Sequence, residues 1–292
     1  MKQKEWLVFS LLVLLGSRGG AQEMILQLPG GAGVEMVWIE AGSFQMGWAL
    51  DEDEEEDEDE INPADQQPQH QVTFSRGFWL GKFELTQGQW ESVMETRPWE
   101  GQPSIDNAPD NPAVFLSWED MQQFVGRVSQ ARGDSLVRLP TEAEWEYACR
   151  AGTTSRWAHG ASPTRLRDFA WYSRNAWDVG ERFPHPVGTR AANPWGLFDM
   201  HGNVWEWVGD WYGPEYYDES PLLDPKGPAQ GLTRVVRGGG YESPAEEVEV
   251  TFRRSARPGA VSSLFGARLL FLGPMASSIE PETWGQVKSQ RP

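Results

Sequence analysis

From residue 151 to about residue 272 the chain loses helical periodicity, and tryptophan, glycine, asparagine and proline are mixed throughout. A stretch of that length stays compact only if its loops are ordered against a small core, and long ordered loops in a compact domain tend to carry function. The sixteen tryptophans fit this picture, because each brings a large area to bury and one N–H that needs a partner. Short strand-like pieces at 233–237 and 267–271 are the regular exceptions.

Regular structure is expected mostly before residue 151. Thr86 stands three residues ahead of Gln89, Ser117 ahead of Asp120, and Thr141 ahead of Glu144. Each pair predicts a helix start, since the side-chain oxygen takes an orphan N–H of the first turn. Trp90, Val93 and Met94 form the apolar stripe of the first helix, and Met121, Phe124, Val125 and Val128 that of the second. In the third, Trp145, Ala148 and Cys149 face inward, so Cys149 reads as a small buried hydrophobe. Residues 36–46 alternate around a Gly-Ser turn like a strand pair, and 71–83 looks like two strands joined at Arg76-Gly77. The expected fold is α+β, a few helices on a small antiparallel core wrapped by long loops.

The start of the chain reads as a secretory leader over 1–21: Lys2 and Lys4, an apolar run from Trp6 to Leu15, then the small residues Gly19 and Ala21. That run is too short to span a bilayer, so an exported protein, periplasmic or secreted, with no transmembrane segment after cleavage is expected. Residues 22–32 read as a leader to the domain, 33–272 as the domain, and 273–292 as a polar tail. Residues 51–60 are all acidic, and 49–69 reads as a mobile surface loop. The net charge of −18 becomes two charges more negative once Lys2, Lys4, Arg18 and Glu5 leave, which disfavours nucleic acid. A single cysteine allows no internal disulfide, and the four histidines lack zinc-ligand spacing.

Two long segments carry a family resemblance: 138–152, RLPTEAEWEYACRAG, and 195–207, WGLFDMHGNVWEW. Phe83-Glu-Leu-Thr-Gln87, Asn111-Pro-Ala-Val114, Arg234-Val-Val-Arg-Gly-Gly239 and Gly266-Ala-Arg268 follow in matching order. Together they resemble the formylglycine-generating-enzyme, or sulfatase-modifying-factor, family over about residues 33–272. The resemblance implies a fold related to C-type lectins, an extracytoplasmic setting and bound calcium. Carried over by position, calcium would take side-chain oxygens of Asp199 and Glu206 and the carbonyls of Gly202 and Val204, the hard-oxygen mixture it prefers. Salt bridges or caps are the alternative roles for those two acids. Trp171 stands where a second family calcium site has asparagine, so that site is expected to be lost.

The family's oxidase uses two cysteines that bind copper shortly after the Gly-Gly turn. Here Ser243 falls at the first position and Glu249 near the second. A hydroxyl and a carboxylate do not replace two soft thiolates for Cu(I), so copper and sulfatase activation are not expected. Two readings of the cleft remain open. As an enzyme of another kind, in maturation of a secreted molecule or in envelope processes, the chain would use Glu249, Ser243, Glu247 (with Glu246 nearby) and Arg257 as catalytic candidates. Trp205, Tyr241 and Arg253 would form the substrate groove, with only one of Trp205 and Trp207 facing it. As a non-catalytic lectin-like module or a structural envelope subunit, the same surface would hold a peptide, a glycan or a small secreted metabolite. Arg253 and Arg257 could equally brace the fold by pairing with the surplus acids.

Overall fold

The computed structural model describes residues 22–49 and 64–274. The expected leader, the acidic run 51–60 and the tail from 275 lie outside the described residues. All three capping boxes close. Helices α1 (Gln87–Met94), α2 (Trp118–Arg132) and α3 (Glu142–Arg150) start at Thr86, Ser117 and Thr141, each with reciprocal side-chain and backbone bonds to the third residue on. Trp90 of α1 stacks on Phe124 of α2 at 5.4 Å. Helix α3 is buried along its whole length, glutamates included, so it is a central helix rather than an amphipathic surface one.

The strands are β1 (Glu23–Gln27), β2 (Gly33–Ile39), β3 (Ser43–Met46), β4 (His70–Thr73), β5 (Phe78–Gly81), β6 (Val137–Arg138), β7 (Trp205–Trp211), β8 (Arg234–Arg237), β9 (Arg253–Ala256), β10 (Phe265–Ala267) and β11 (Leu270–Phe271). They build a five-stranded sheet in the order β1-β2-β5-β11-β6, a four-stranded sheet β10-β7-β8-β9 and the pair β3-β4. All pairings are antiparallel except β10 with β7.

Four expectations need correction. The strands within 36–46 do exist, but β2 pairs with β1 and β5 while β3 pairs with β4, so the Gly-Ser turn links two sheets rather than closing a hairpin. The two strands of 71–83 part in the same way, β4 to β3 and β5 to the five-stranded sheet. Residues 23–27, read as leader, are an integral edge strand. Within the supposed mobile loop 49–69, residues 64–66 form a 3-10 turn that is tied down. The Asp65 carboxylate accepts the Tyr212 hydroxyl at 2.7 Å, its carbonyl accepts Arg253 at 2.7 Å, and Gln66 is buried.

Buried charge joins α3 to the four-stranded sheet. Glu146 pairs with Arg237 at 2.5 Å and Arg150 at 2.8 Å, and Glu142 pairs with Arg253 at 2.7 Å. Burial by itself would push the Glu146 carboxyl up. The guanidiniums of Arg150 and Arg237 and the Gly47 N–H outweigh that and hold it below the usual range. Arg237 also donates to the carbonyls of Val250, Thr251 and Phe252, so one side chain pins the segment that follows the glycine turn.

Candidate functional site

The site is set by the turn that ends β8. Gly238 and Gly239 have φ of 93° and 74°, and a Cβ on Gly239 would lie 2.5 Å from Val248 and 2.8 Å from the Glu247 carbonyl. Only glycine lets residues 240–249 fold back this closely. Ser243 then accepts the Gly240 N–H at 3.1 Å and donates to the Glu247 carboxylate at 2.8 Å. The Tyr241 N–H is held by the Asn203 carbonyl, and its hydroxyl meets Ser263 at 3.2 Å.

The structure brings Tyr241, Ser243 and Glu247 together but deploys the other candidates differently. Glu249 is buried against Arg156 at 3.5 Å, and Arg257 is exposed. Arg253 grips Glu142 with two bonds and lies 4.4 Å from the Tyr217 ring, so it braces the core and presents no groove surface. Trp205 is fully buried and equally unable to line a groove. The expectation that only one of Trp205 and Trp207 points to the cleft fails on strand geometry. Residues two apart share a face, and both pack in one core, while Glu206 and Val208 point the other way toward Trp145 of α3.

Cys149 is buried beneath the site, its sulfur 3.9 Å from His201 Nε2, and burial pushes the thiol well above its usual range. The chain's single cysteine is buried and held as the thiol, so the residues present do not fit a two-thiolate copper centre.

Glu242 was not anticipated. It is half-buried between Gly240 and Trp205, and burial raises its carboxyl above the ordinary range. The Trp205 indole N–H lies beside it and partly offsets that rise without closing a hydrogen bond of normal geometry. Next to Tyr241 rises an aromatic and cationic surface. Trp177 is 37% exposed, faces the Tyr241 ring at 6.2 Å and carries Arg182 over it at 4.7 Å. Trp171 lies between His185 and Arg190, each about 3.5 Å from its ring. The sequence signal was the alternation of tryptophan and arginine in 171–190, a region without periodicity.

Below this face lie three buried carboxylates, Glu84, Asp199 and Glu206, with one buried arginine, Arg268. Arg268 takes both oxygens of Glu206, at 2.5 and 2.6 Å, and Trp145 donates to the same group at 2.8 Å. Glu84 accepts the Asn203 amide and the Val204 N–H. Asp199 Oδ2 accepts the Gly188 N–H at 2.6 Å, whereas its Oδ1 is buried without a partner. Burial, then the neighbouring acids, push Glu84 well up, and burial pushes Asp199 up to about 6. An excess of carboxylates around an orphaned oxygen is what a bound cation would relieve. Among the described residues no three His, Cys, Asp or Glu side chains are grouped to hold a metal. Glu206, held by Arg268 and Trp145, therefore takes the salt-bridge role weighed as its alternative, and the unpartnered Asp199 Oδ1 is the oxygen left open to a cation. The Trp171 side chain carries no oxygen, and its carbonyl is taken by the Asn203 N–H.

A family model described as the sulfatase-modifying factor enzyme 1-like domain matches residues 23–271. The chain belongs to that family. It is 38% identical over 183 residues to the formylglycine-generating enzyme of Streptomyces coelicolor, a match covering 59% of this chain and 56% of that one. It is 31% identical over 258 residues to the serine/threonine-protein kinase pkn1 of Chlamydia caviae, covering 80% of this chain and 37% of the kinase. The chain thus spans about half of the first relative and little more than a third of the second. Among solved structures, Treponema denticola variable protein 1 superposes with a TM-score of 0.72 at 26% identity, over 85% of this chain and 98% of that one. PvdO from Pseudomonas aeruginosa superposes with a TM-score of 0.71 at 26% identity, over 88% and 99%. The α+β architecture is that of the sulfatase-modifying-factor family. No helix among the described residues is long and apolar enough to cross a membrane.

Proposed function

We propose that this protein is an exported family member that does not oxidise cysteine and instead binds an extended, charged peptide segment of a secreted partner. The binding face would be the one formed by Trp177, Tyr241 and Arg182. The observation that carries this reading is Ser243, locked between the Gly240 N–H and the Glu247 carboxylate beneath an exposed Trp–Arg surface. Large, rigid aromatics beside guanidiniums are the side chains that dominate peptide recognition.

Two measurements test it. Incubation of a Cys-x-Pro-x-Arg peptide with the protein, copper and oxygen should leave the peptide mass unchanged; an aldehyde product would overturn the non-oxidising reading. Peptides selected from a random display library on the wild-type protein should lose about 2 kcal/mol, roughly 30-fold, on Trp177→Ala. Selection of peptides indifferent to Trp177 would sink the binding face.

A second reading is favoured by Glu242, a carboxyl with a raised affinity for its proton at the edge of the same face. In it, the protein tailors a secreted molecule by proton transfer. Glu242→Gln would then abolish turnover while leaving peptide binding intact.

Calcium is part of the proposal. Asp199 and the carbonyls of Gly202 and Val204 would hold it as a structural ion, with Glu206 joining only by giving up an Arg268 bond. Saturating calcium should then stabilise the fold by roughly 3–4 kcal/mol, and chelator should lower Tm by on the order of 10 °C. An unchanged melting curve in chelator would remove calcium from the scheme.

A further inference from the structure

A cavity of about 370 Å3 opens between the β3-β4 pair and the C-terminal end of α3, lined by none of the residues of the face described above. Its apolar wall is aromatic. Tyr147 meets Trp195 edge-on at 4.9 Å and 74°, and Phe44 tilts against Tyr147 at 5.2 Å. Its rim is polar but neutral. Gln45 and Gln71 are cross-strand partners, so their amides stand side by side on one face of the β3-β4 pair. With Thr154 they complete the rim, and none of the three side chains is engaged in a hydrogen bond among the described residues.

The one charged group in the lining is already committed. Arg150 donates to Glu146 at 2.9 Å and to the Gly47 carbonyl at 3.0 Å, and the Glu146 carboxylate neutralises it. Neither an anion nor a cation finds a counter-charge here. The ligand must be neutral, present an apolar flank to flat rings, and carry several hydroxyls for amide and hydroxyl partners. Those requirements together describe a sugar ring, and the volume lies in the range of small-ligand sites. We propose that this cavity is a subsite for a neutral monosaccharide or a sugar at the end of a chain, with Trp195 as stacking surface backed by the buried Tyr147, and Gln45 and Gln71 as hydroxyl readers. It stands or falls independently of the peptide-binding reading, because the two sites share no residue.

The test is a ligand-observed NMR titration of the full-length protein with D-glucose, N-acetyl-D-glucosamine and cellotriose, and with glucose 6-phosphate as the charged comparison. At least one neutral sugar should bind saturably with a Kd on the order of 1 mM, the scale set by so few contacts on a small ligand. Trp195→Ala should weaken it about 10-fold or more, comparable to the loss of one stacking anchor. Since Trp195 also packs on Tyr147, the exposed-strand variants Gln45→Ala and Gln71→Ala carry the test if Trp195→Ala does not fold; each should weaken binding several-fold. Absence of saturable binding by all three neutral sugars would overturn the assignment. So would binding unaltered in both glutamine variants, or tighter binding of glucose 6-phosphate than of glucose.

Discussion

Replacing Arg237 by alanine is expected to destabilise the fold by about 3–5 kcal/mol, the range for removing one partner of a buried ion pair. Three separate losses combine in that change. Glu146 keeps only Arg150 as a counter-charge in a site closed to water, and an under-compensated buried carboxylate is expensive. The carbonyls of Val250, Thr251 and Phe252 lose their shared donor, and each buried acceptor left bare weakens the segment after the glycine turn. The flat guanidinium, 5.2 Å from the Trp145 ring centre, leaves a cavity against α3. For a domain of this size the shift in Tm should be roughly 10 °C, read by thermal or denaturant unfolding. Adding Glu146→Gln should recover part of the loss, because the stranded charge then disappears; a double-mutant cycle isolates that share. A loss below about 1 kcal/mol for Arg237→Ala would mean that the charge ladder is not what joins α3 to the sheet.

The second large effect is a stabilisation that depends on pH. Asp210 is fully buried, and burial, reinforced by the charge of Glu142, raises its carboxyl to about 8, while the Glu142 N–H and Arg253 oppose that rise only in part. In the unfolded chain an aspartate releases its proton near 3.9. Between about 4 and 8 the folded protein therefore holds a proton that the unfolded chain has already released, and stability falls as pH rises through that window. Below it both states are protonated and nothing is lost. Asp210→Asn keeps an oxygen for the Glu142 N–H and has no proton to lose. At pH 7 the variant should be more stable than the wild type by on the order of 2–4 kcal/mol, and near pH 4 the two should converge. Unfolding midpoints across pH 4 to 8 decide the matter. A variant weaker at pH 7, or a gap that does not change with pH, would contradict it.

How much of this was legible in the sequence follows the range of the interactions. Helix starts are local, and Thr86, Ser117 and Thr141 announced theirs within four residues. The family segments marked the turn at Gly238 and the positions of Ser243, Asp199 and Glu206. Strand existence was legible in part, since alternation is local. β1 was read as leader, and 267–271 as one piece where β10 ends and β11 joins another sheet. Partnership was not legible at all. β2 and β3 follow each other in the chain and end in different sheets, because pairing is chosen by distant segments. For Arg253 the bracing role holds and the groove role fails, and the sequence did not choose between them because Glu142, which claims it, lies 111 residues away. Glu84 and Glu242 escaped because a glutamate beside a hydrophobic residue looks like solvated surface until a fold buries it. Trp205 and Trp207 were a different failure, since two-residue periodicity alone places both on one side.

Residues 265–271 supply β10 to one sheet and β11 to the interior of the other, with Arg268 between them reaching the buried acids. A ribosome delivers these residues after every other described strand. Until they emerge, β5 and β6 have no strand to join them, β7 lacks its parallel neighbour, and Glu206 has no guanidinium. Neither sheet is complete without these residues, so both layers close on the same segment. One short segment thus serves as the latch of two layers at once.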